Sequence, residues 1–208
     1  MRDLMITGVA AATLTATAFA DYSITQAPTA PTYAGHQIDF DQPGDPTGAI
    51  TGTEWLASDG ITIGSGVGDG GAVDDWDAVF GPFGIGDGNS HLGAFGTFLT
   101  FTQDLTEMSI EVWNNGTDPF FGGIGIFLFD DGVEVGSFFT IPSWAGVGDA
   151  AFDITTSGGD VFDEVRVIDF DFASVGIITD NYSWNAIPAP GALALLALAG
   201  CGRRRRRD

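Results

Sequence analysis

Apolar and polar residues alternate with a period of two in several stretches of the chain. Met108, Ile110 and Val112 fall on one face of an extended segment whose other face is polar. This alternation predicts a half-buried antiparallel strand. Residues 124–129 are apolar on both faces and predict a central strand. The Asp-Asp-Gly sequence at 130–132 then precedes another apolar alternation, which predicts a hairpin with positive φ at its turn.

The same reading predicts further short strands and no amphipathic helix in the middle of the chain. These strands are expected at 36–41, 55–63, 95–102, 150–155, 164–168 and 175–184. Many short strands without helices indicate an all-β domain, an antiparallel β-sandwich or jelly roll, over 36–186. Residues 64–88 are rich in Gly and Asp and predict a long loop, and 21–35 predict a linker or leader strand.

The first 20 residues have the pattern of a secretory signal peptide. Arg2 lies near the start, a mostly apolar stretch follows, and Ala18 and Ala20 form a small-x-small cleavage site before Asp21. Such a segment forms a helix that is removed on export. A short buried helix is the alternative.

Residues 187–208 combine three features in a fixed order: a proline motif, a short apolar segment of Ala and Leu, and a basic cluster. Prolines at 188 and 190 prevent helix continuation, whereas 191–202 consist of helix-forming residues with no charge. At roughly 1.5 Å per residue the apolar helix is shorter than the roughly 30 Å of bilayer hydrocarbon. The tail therefore predicts transient membrane anchoring, with a plain tail anchor as the alternative. The basic cluster, expected to stay on the cytoplasmic side, comprises Arg203, Arg204, Arg205, Arg206 and Arg207.

This order of features resembles the PEP-CTERM sorting signal, with Pro188, Ala189 and Pro190 as its motif. Ala189 stands where that family has Glu. The resemblance implies recognition and cleavage by an exosortase-like enzyme, and a route to the cell surface or extracellular matrix. Residues 38–41 and 178–184 resemble the opening and closing strands of a galactose-binding-like jelly roll, as found in exported proteins of this type.

The net charge restricts the classes of partner that the chain is expected to bind. The formal net charge is −21, and of the 28 acidic residues only Asp3 and Asp208 lie outside 21–202, where Arg166 is the only basic residue. Such a field repels nucleic acid and anionic lipid, so neither is expected to bind the folded domain. Cys201 is the only cysteine, and no intramolecular disulfide can form.

Acidic residues in the predicted loop suggest a structural calcium site. Carboxylates on a flexible loop suit calcium, but their spacing matches neither an EF-hand nor the nonapeptide calcium repeat, and a solvated acidic loop is the alternative. The candidate ligands are Asp69, Asp74, Asp75 and Asp77.

Aromatic residues suggest a polysaccharide site, because sugar rings stack on flat aromatic surfaces while polar side chains bind their hydroxyls. Membership of the hydrophobic core is the alternative for each. The candidates are Trp55, Trp76, Trp113, Trp144 and Tyr182.

Catalysis has little support in the sequence. The only histidines are His36 and His91, residues 88–92 lack the second Gly of a nucleophile elbow, and no pair of carboxylates stands out. The sequence thus predicts no catalytic residues and an exported, non-enzymatic surface or extracellular-matrix protein. A carbohydrate-binding module is the alternative, and a secreted hydrolase is less favoured.

Overall fold

A computed structural model describes residues 21–27, 31–76, 88–114, 123–140, 150–169 and 176–187. Almost all regular structure in these ranges is antiparallel β-sheet. The strands are β1 (Asp21–Ala27), β2 (His36–Ile38), β3 (Gly48–Ala49), β4 (Ile61–Ser65), β5 (Ala72–Asp74), β6 (Ser90–Gly93), β7 (Gly96–Asn114), β8 (Ile124–Asp130), β9 (Val133–Thr140), β10 (Ala150–Ser157), β11 (Phe162–Asp169) and β12 (Ile177–Ala186), with one helical turn, α1 (Leu56–Asp59).

The long strand β7 organises the domain, because its two halves belong to different arms of the sheet. Its first half pairs with β4 on one side and with β11 on the other, and β11 pairs in turn with β8 and β8 with β9. Its second half pairs with β10 and β12, and these lead to β1 on one side and to β2, β6, β5 and β3 on the other. We call these the first and second arms. Their antiparallel arrangement is consistent with the predicted sandwich.

Both arms contribute side chains to one hydrophobic core. Leu99 and Phe101 enter it from the first half of β7, and Met108 and Ile110 from the second half. Trp184 from β12 is also buried and packs edge-on against Phe101, with ring centroids 5.3 Å apart. Burial of these apolar surfaces is the main force that holds the arms together.

Several predicted strands are confirmed, and the hairpin turn has the expected conformation. The alternation at 107–112 lies in β7, and residues 124–129 lie in β8. Between β8 and β9, Asp131 and Gly132 have φ values of 50° and 77°. Positive φ at both central residues is what a type I′ turn requires.

Two parts of the prediction need correction. The strand expected at 55–63 begins only at Ile61, because residues 56–59 form α1, which ends at Gly60 in the left-handed conformation with φ 72°. The loop expected at 64–88 contains the strand β5, which pairs with β6. These short strands carry too few alternating residues to be recognised from sequence.

Gly52 offers a test of the close approach between residues 50–53 and β4. Its φ is 86°, and a Cβ there would lie 2.1 Å from the carbonyl oxygen of Ile63; Gly68 has the same φ, but a Cβ there meets nothing within 4 Å. Gly52→Ala is expected to lower the free energy of unfolding by about 3 kcal/mol and Gly68→Ala by about 1 kcal/mol. Denaturant unfolding measures both; equal losses would contradict the backbone overlap.

Candidate functional site

A cleft of about 280 Å³ lies on the outward face of the first arm, where β4, β7 and β11 run side by side. In β4 and β7 the buried residues Ile61, Ile63 and Leu99 alternate with outward positions. Gly64, in β4, has no side chain and leaves space opposite Phe98. The side chains lining the cleft combine hydroxyls, two carboxylates and one aromatic ring: Thr51, Thr53, Thr62, Thr100, Asp69, Glu164 and Phe98.

The carboxylate of Asp69 is fixed at one wall by a tight loop. Its Oδ1 accepts hydrogen bonds from the Ser65 hydroxyl and from the Gly71 N–H, and its own carbonyl accepts from the Ser65 N–H at 2.7 Å. The bonds from Ser65 and Gly71 hold the pKa of Asp69 below its ordinary value. The wall therefore presents an ionised acceptor.

A second wall is stabilised by Glu54. Its Oε1 accepts hydrogen bonds from the Thr51 N–H at 2.7 Å and the Thr51 hydroxyl at 2.9 Å. Burial tends to raise the pKa of Glu54, but these bonds and others from the backbone hold it below the ordinary value. The hydroxyls of Thr51 and Thr53 lie 3.0 Å apart, so this wall places two hydroxyls at the cleft.

Arg166 contacts two residues that line the third side of the cleft, Phe98 and Glu164. Its guanidinium carbon lies 5.3 Å from the Phe98 ring centroid and 4.1 Å from that of Phe129, and its Nε donates to Glu164 Oε1. Cation–π contacts of this kind restrict the rings they touch. Arg166 thereby positions both an aromatic ring and a carboxylate of the cleft.

The second arm carries another cleft, of about 270 Å³, whose lining includes Gln37, Asp39 and Glu111. At its edge Asn181 adopts φ 49° within an irregularity of β12, and its Nδ2 donates to Glu111 Oε2 at 2.9 Å. The preceding Asp180 is only 4% exposed. Burial, reinforced by the negative charges of Glu111, Asp41 and Asp39, raises the pKa of Asp180 to about 8.

His91 is fully buried and not arranged as a catalytic base. Its Nε2 donates to the Gly70 carbonyl at 2.8 Å, which leaves Nδ1 as an acceptor 3.4 Å from the hydroxyls of Thr97 and Thr179. Burial lowers the pKa of His91 to about 4. His36 instead stacks on Trp184, with ring centroids 5.2 Å apart. Neither histidine has a serine among these contacts.

The predicted aromatic candidates are mostly structural. Trp55 and Tyr182 are buried in the core. Trp76 donates its indole N–H to the Ser90 carbonyl at 3.0 Å, and Trp113 is half-buried on β7 in the second arm. Trp144 lies outside the described residues.

The ring that lines the first cleft, Phe98, is one that sequence reasoning missed. In β7 it lies next to Leu99 and close to Phe101. Apolar residues therefore occupy both faces of the strand, and the alternation did not show which ring points outward. Its proximity to Arg166, which pairs opposite it on β11, is visible only after folding.

Three of the four predicted calcium ligands lie in the part of the chain that the structure describes. Within the described ranges no group of three or more acidic, His or Cys residues is placed to hold a metal ion, and Asp77 lies outside those ranges. Asp69 is engaged in its own loop, while Asp74 in β5 accepts a hydrogen bond from the Asp75 N–H at 2.9 Å. Of these residues, only Asp69 lines the first cleft.

Both predicted targeting segments lie outside the described residues. This applies to Ala18 and Ala20, to the motif at 188–190, and to the arginines at 203–207. Where the structure is described, no helix has the length and apolar character needed to cross a bilayer.

Comparison with known proteins gave limited results. No protein-family model matches the chain, and no curated protein matches it. Among solved structures, a family 6 carbohydrate-binding module is similar at 12% identity and a TM-score of 0.30, covering 74% of this chain and 95% of the module. The CsCBM6-3 module of Clostridium stercorarium, in complex with cellobiose, is similar at 13% identity and a TM-score of 0.27, with the same coverage. At these values the likeness says nothing about what this chain binds.

Proposed function

We propose that this chain is an exported, non-catalytic surface protein whose β-domain binds a neutral carbohydrate in the cleft of the first arm. The observation that carries this proposal is the presence of one aromatic ring and two carboxylates around a hydroxyl-lined cleft. A sugar ring stacks its C–H face on an aromatic ring, here Phe98. Its hydroxyl groups donate to carboxylates, here Asp69 and Glu164.

The charged groups around the cleft favour an uncharged ligand. The cleft contains two carboxylates, and Arg166, which is the only arginine in the described ranges, is already paired with Glu164. The net negative charge of the domain also repels polyanionic ligands. A neutral glycan, which offers hydroxyl donors and apolar C–H faces, suits this lining.

The state of Asp69 supports binding in preference to hydrolysis. A glycosidase needs one carboxyl group that keeps its proton at working pH. The hydrogen bonds from Ser65 and Gly71 lower the pKa of Asp69 and favour its ionised form. Asp69 therefore suits an acceptor of sugar hydroxyls and does not suit a general acid.

Replacement of the stacking ring tests the site. Phe98→Ala is expected to raise the Kd for a bound neutral polysaccharide about tenfold, because it removes the stacking surface. Affinity electrophoresis against a panel of neutral and acidic polysaccharides measures this. Phe139→Ala is the matched control, since Phe139 is 60% exposed on β9 and does not line the cleft.

Gly64→Leu gives a second, independent variant, because it places a side chain in the cleft at a residue with ordinary φ. It is expected to reduce binding while thermal unfolding stays cooperative. Unchanged affinity in both cleft variants, or binding to no member of the panel, would reject this function.

Export is proposed from the two ends of the sequence. Ala18 and Ala20 precede Asp21 as a cleavage site, and the motif at 188–190 followed by an apolar segment and arginines resembles a sorting signal. We expect intact-mass analysis of the native protein to show loss of the first 20 residues and of the arginine cluster. A chain that retains Asp208 would replace sorting by cleavage with a simple tail anchor.

A further inference from the structure

The first described residue, Asp21, lies in strand β1 and follows the predicted signal cleavage site. Asp21 pairs with Ser157 at the end of β10, and the seven residues of β1 pair in continuous register down to Ala27 opposite Ala151. The backbone nitrogen of Asp21 donates a hydrogen bond to Asp160 Oδ2 at 2.8 Å. The Asp160 carboxylate, which takes no part in the pairing of β1 with β10, therefore binds the Asp21 nitrogen.

Asp160 is held in place independently of β1. The turn after β10 contains Gly158 and Gly159, whose φ values of 71° and 96° reverse the chain. The Asp160 N–H donates to the Ser157 carbonyl at 3.2 Å, and the Thr156 hydroxyl donates to the Asp160 carbonyl at 2.7 Å. These bonds fix the turn so that the carboxylate faces the start of β1.

We propose that Asp21 is the first residue of the mature chain and that Asp160 binds its newly formed α-ammonium group. This inference rests on the export part of the proposed function. Hydrolysis breaks the bond between the Ala20 carbonyl carbon and the Asp21 nitrogen. Water gives its hydroxyl to the carbonyl carbon, leaving a carboxylate on Ala20, and the nitrogen becomes an amine that takes up a proton.

Cleavage changes the chemistry of this contact. Before it, Asp21 offers Asp160 a single neutral N–H; afterwards it offers a positive charge and three N–H donors. Hydrogen bonds between ionised partners are roughly twice as strong as neutral ones. Since Arg166 is the only basic side chain between residues 21 and 202, the α-ammonium adds a rare cation to an acidic domain. The mature N-terminus is therefore anchored where the uncleaved precursor has only an amide.

The pKa of the α-amino group tests the pairing. We expect it to lie at least about 0.5 above the ordinary 7.7–8.0 in the otherwise full chain beginning at Asp21, because Asp160 favours the charged form. The pH dependence of amine acylation, with the labelled N-terminal peptide identified by mass spectrometry, measures it. Asp160→Asn is expected to return the value to the ordinary range, and so is a chain that keeps Ala20 as its first residue.

Asp74→Asn is the control for overall charge, because Asp74 is exposed on β5, which pairs with β3 and β6 and not with β1 or β10; it is expected to leave the raised pKa in place. Equal α-amino pKa values in the unmodified chain and in Asp160→Asn would overturn the pairing. A native protein that begins at a residue other than Asp21 would overturn the assignment of the mature terminus. Neither result depends on polysaccharide binding, and loss of binding would leave both measurements unaffected.

Discussion

Asp180→Asn is expected to stabilise the domain at neutral pH, although it removes a native carboxyl group. In the folded protein, burial raises the pKa of Asp180 from 3.8 to about 8. At neutral pH the carboxyl group therefore stays largely protonated in the folded state, whereas it is ionised in the unfolded chain. The stability associated with the protonated group is fully present below pH 3.8 and is lost as the pH rises through 8. Asparagine is nearly isosteric and carries no charge.

The expected gain at pH 7 is about 2 kcal/mol, within an upper limit of about 4 kcal/mol set by the interval between the ordinary pKa of 3.8 and pH 7. It should shrink towards zero near pH 4 and reach its maximum above pH 8. Urea unfolding of both chains from pH 4 to pH 8.5 measures this profile. Asp74→Asn removes an exposed carboxylate on β5 and is the control for overall charge; an equal rise in that variant would assign the effect to overall charge.

Acidification below pH 6.5 is expected to destabilise the domain through His91. Burial lowers the pKa of this imidazole from 6.5 to about 4, so the unfolded chain takes up a proton before the folded one does. The stability that depends on neutral His91 is fully present above pH 6.5 and is lost as the pH falls to 4, by up to about 3 kcal/mol. The buried site offers two hydroxyls and a carbonyl but no counterion in direct contact.

His91→Gln isolates this contribution, because glutamine does not titrate and still has an N–H for the Gly70 carbonyl. It is expected to be less stable than the parent at pH 7 by about 1–2 kcal/mol and to lose less stability between pH 6.5 and 4. His36→Gln, at a partly exposed histidine, is the matched control for loss of an imidazole; an equal change of the acid slope in both variants would contradict the assignment to His91. If His91→Gln loses stability as steeply as the parent, the acidic residues account for the whole slope.

The predicted strands and the structure agree best where a signal is local. The alternation at 107–112 and the Asp-Gly turn at 131–132 depend on residues that are neighbours in sequence, and both are confirmed in β7 and at the β8–β9 hairpin. The alternation of apolar and polar residues does not predict β3, β5 and β6, because these strands have only two to four residues each. Their pairing is decided by distant partners, which alternation does not record.

In the candidate site, too, the residue types could be recognised from the sequence, but their arrangement could not. Sequence reasoning identified Asp69 as a functional candidate, but for metal, whereas the structure places it in a cleft with Phe98 and Glu164. It also named Tyr182 as a possible sugar-stacking ring while favouring the core for most of the aromatic candidates, and this ring is only 1% exposed. Residue types alone do not distinguish an aromatic core from an aromatic surface when 12% of the chain is aromatic.

By itself the sequence determined the β-rich class and the acidic charge, because composition and period are local properties, whereas the targeting of the two ends stays a prediction. Only the tertiary structure decided that β7 serves both arms and that Asp180 is buried among other carboxylates. It also brought Asp160 to the nitrogen of Asp21, 139 positions away. Contacts between such distant residues follow from how the strands pair and pack, which no stretch of neighbouring residues encodes.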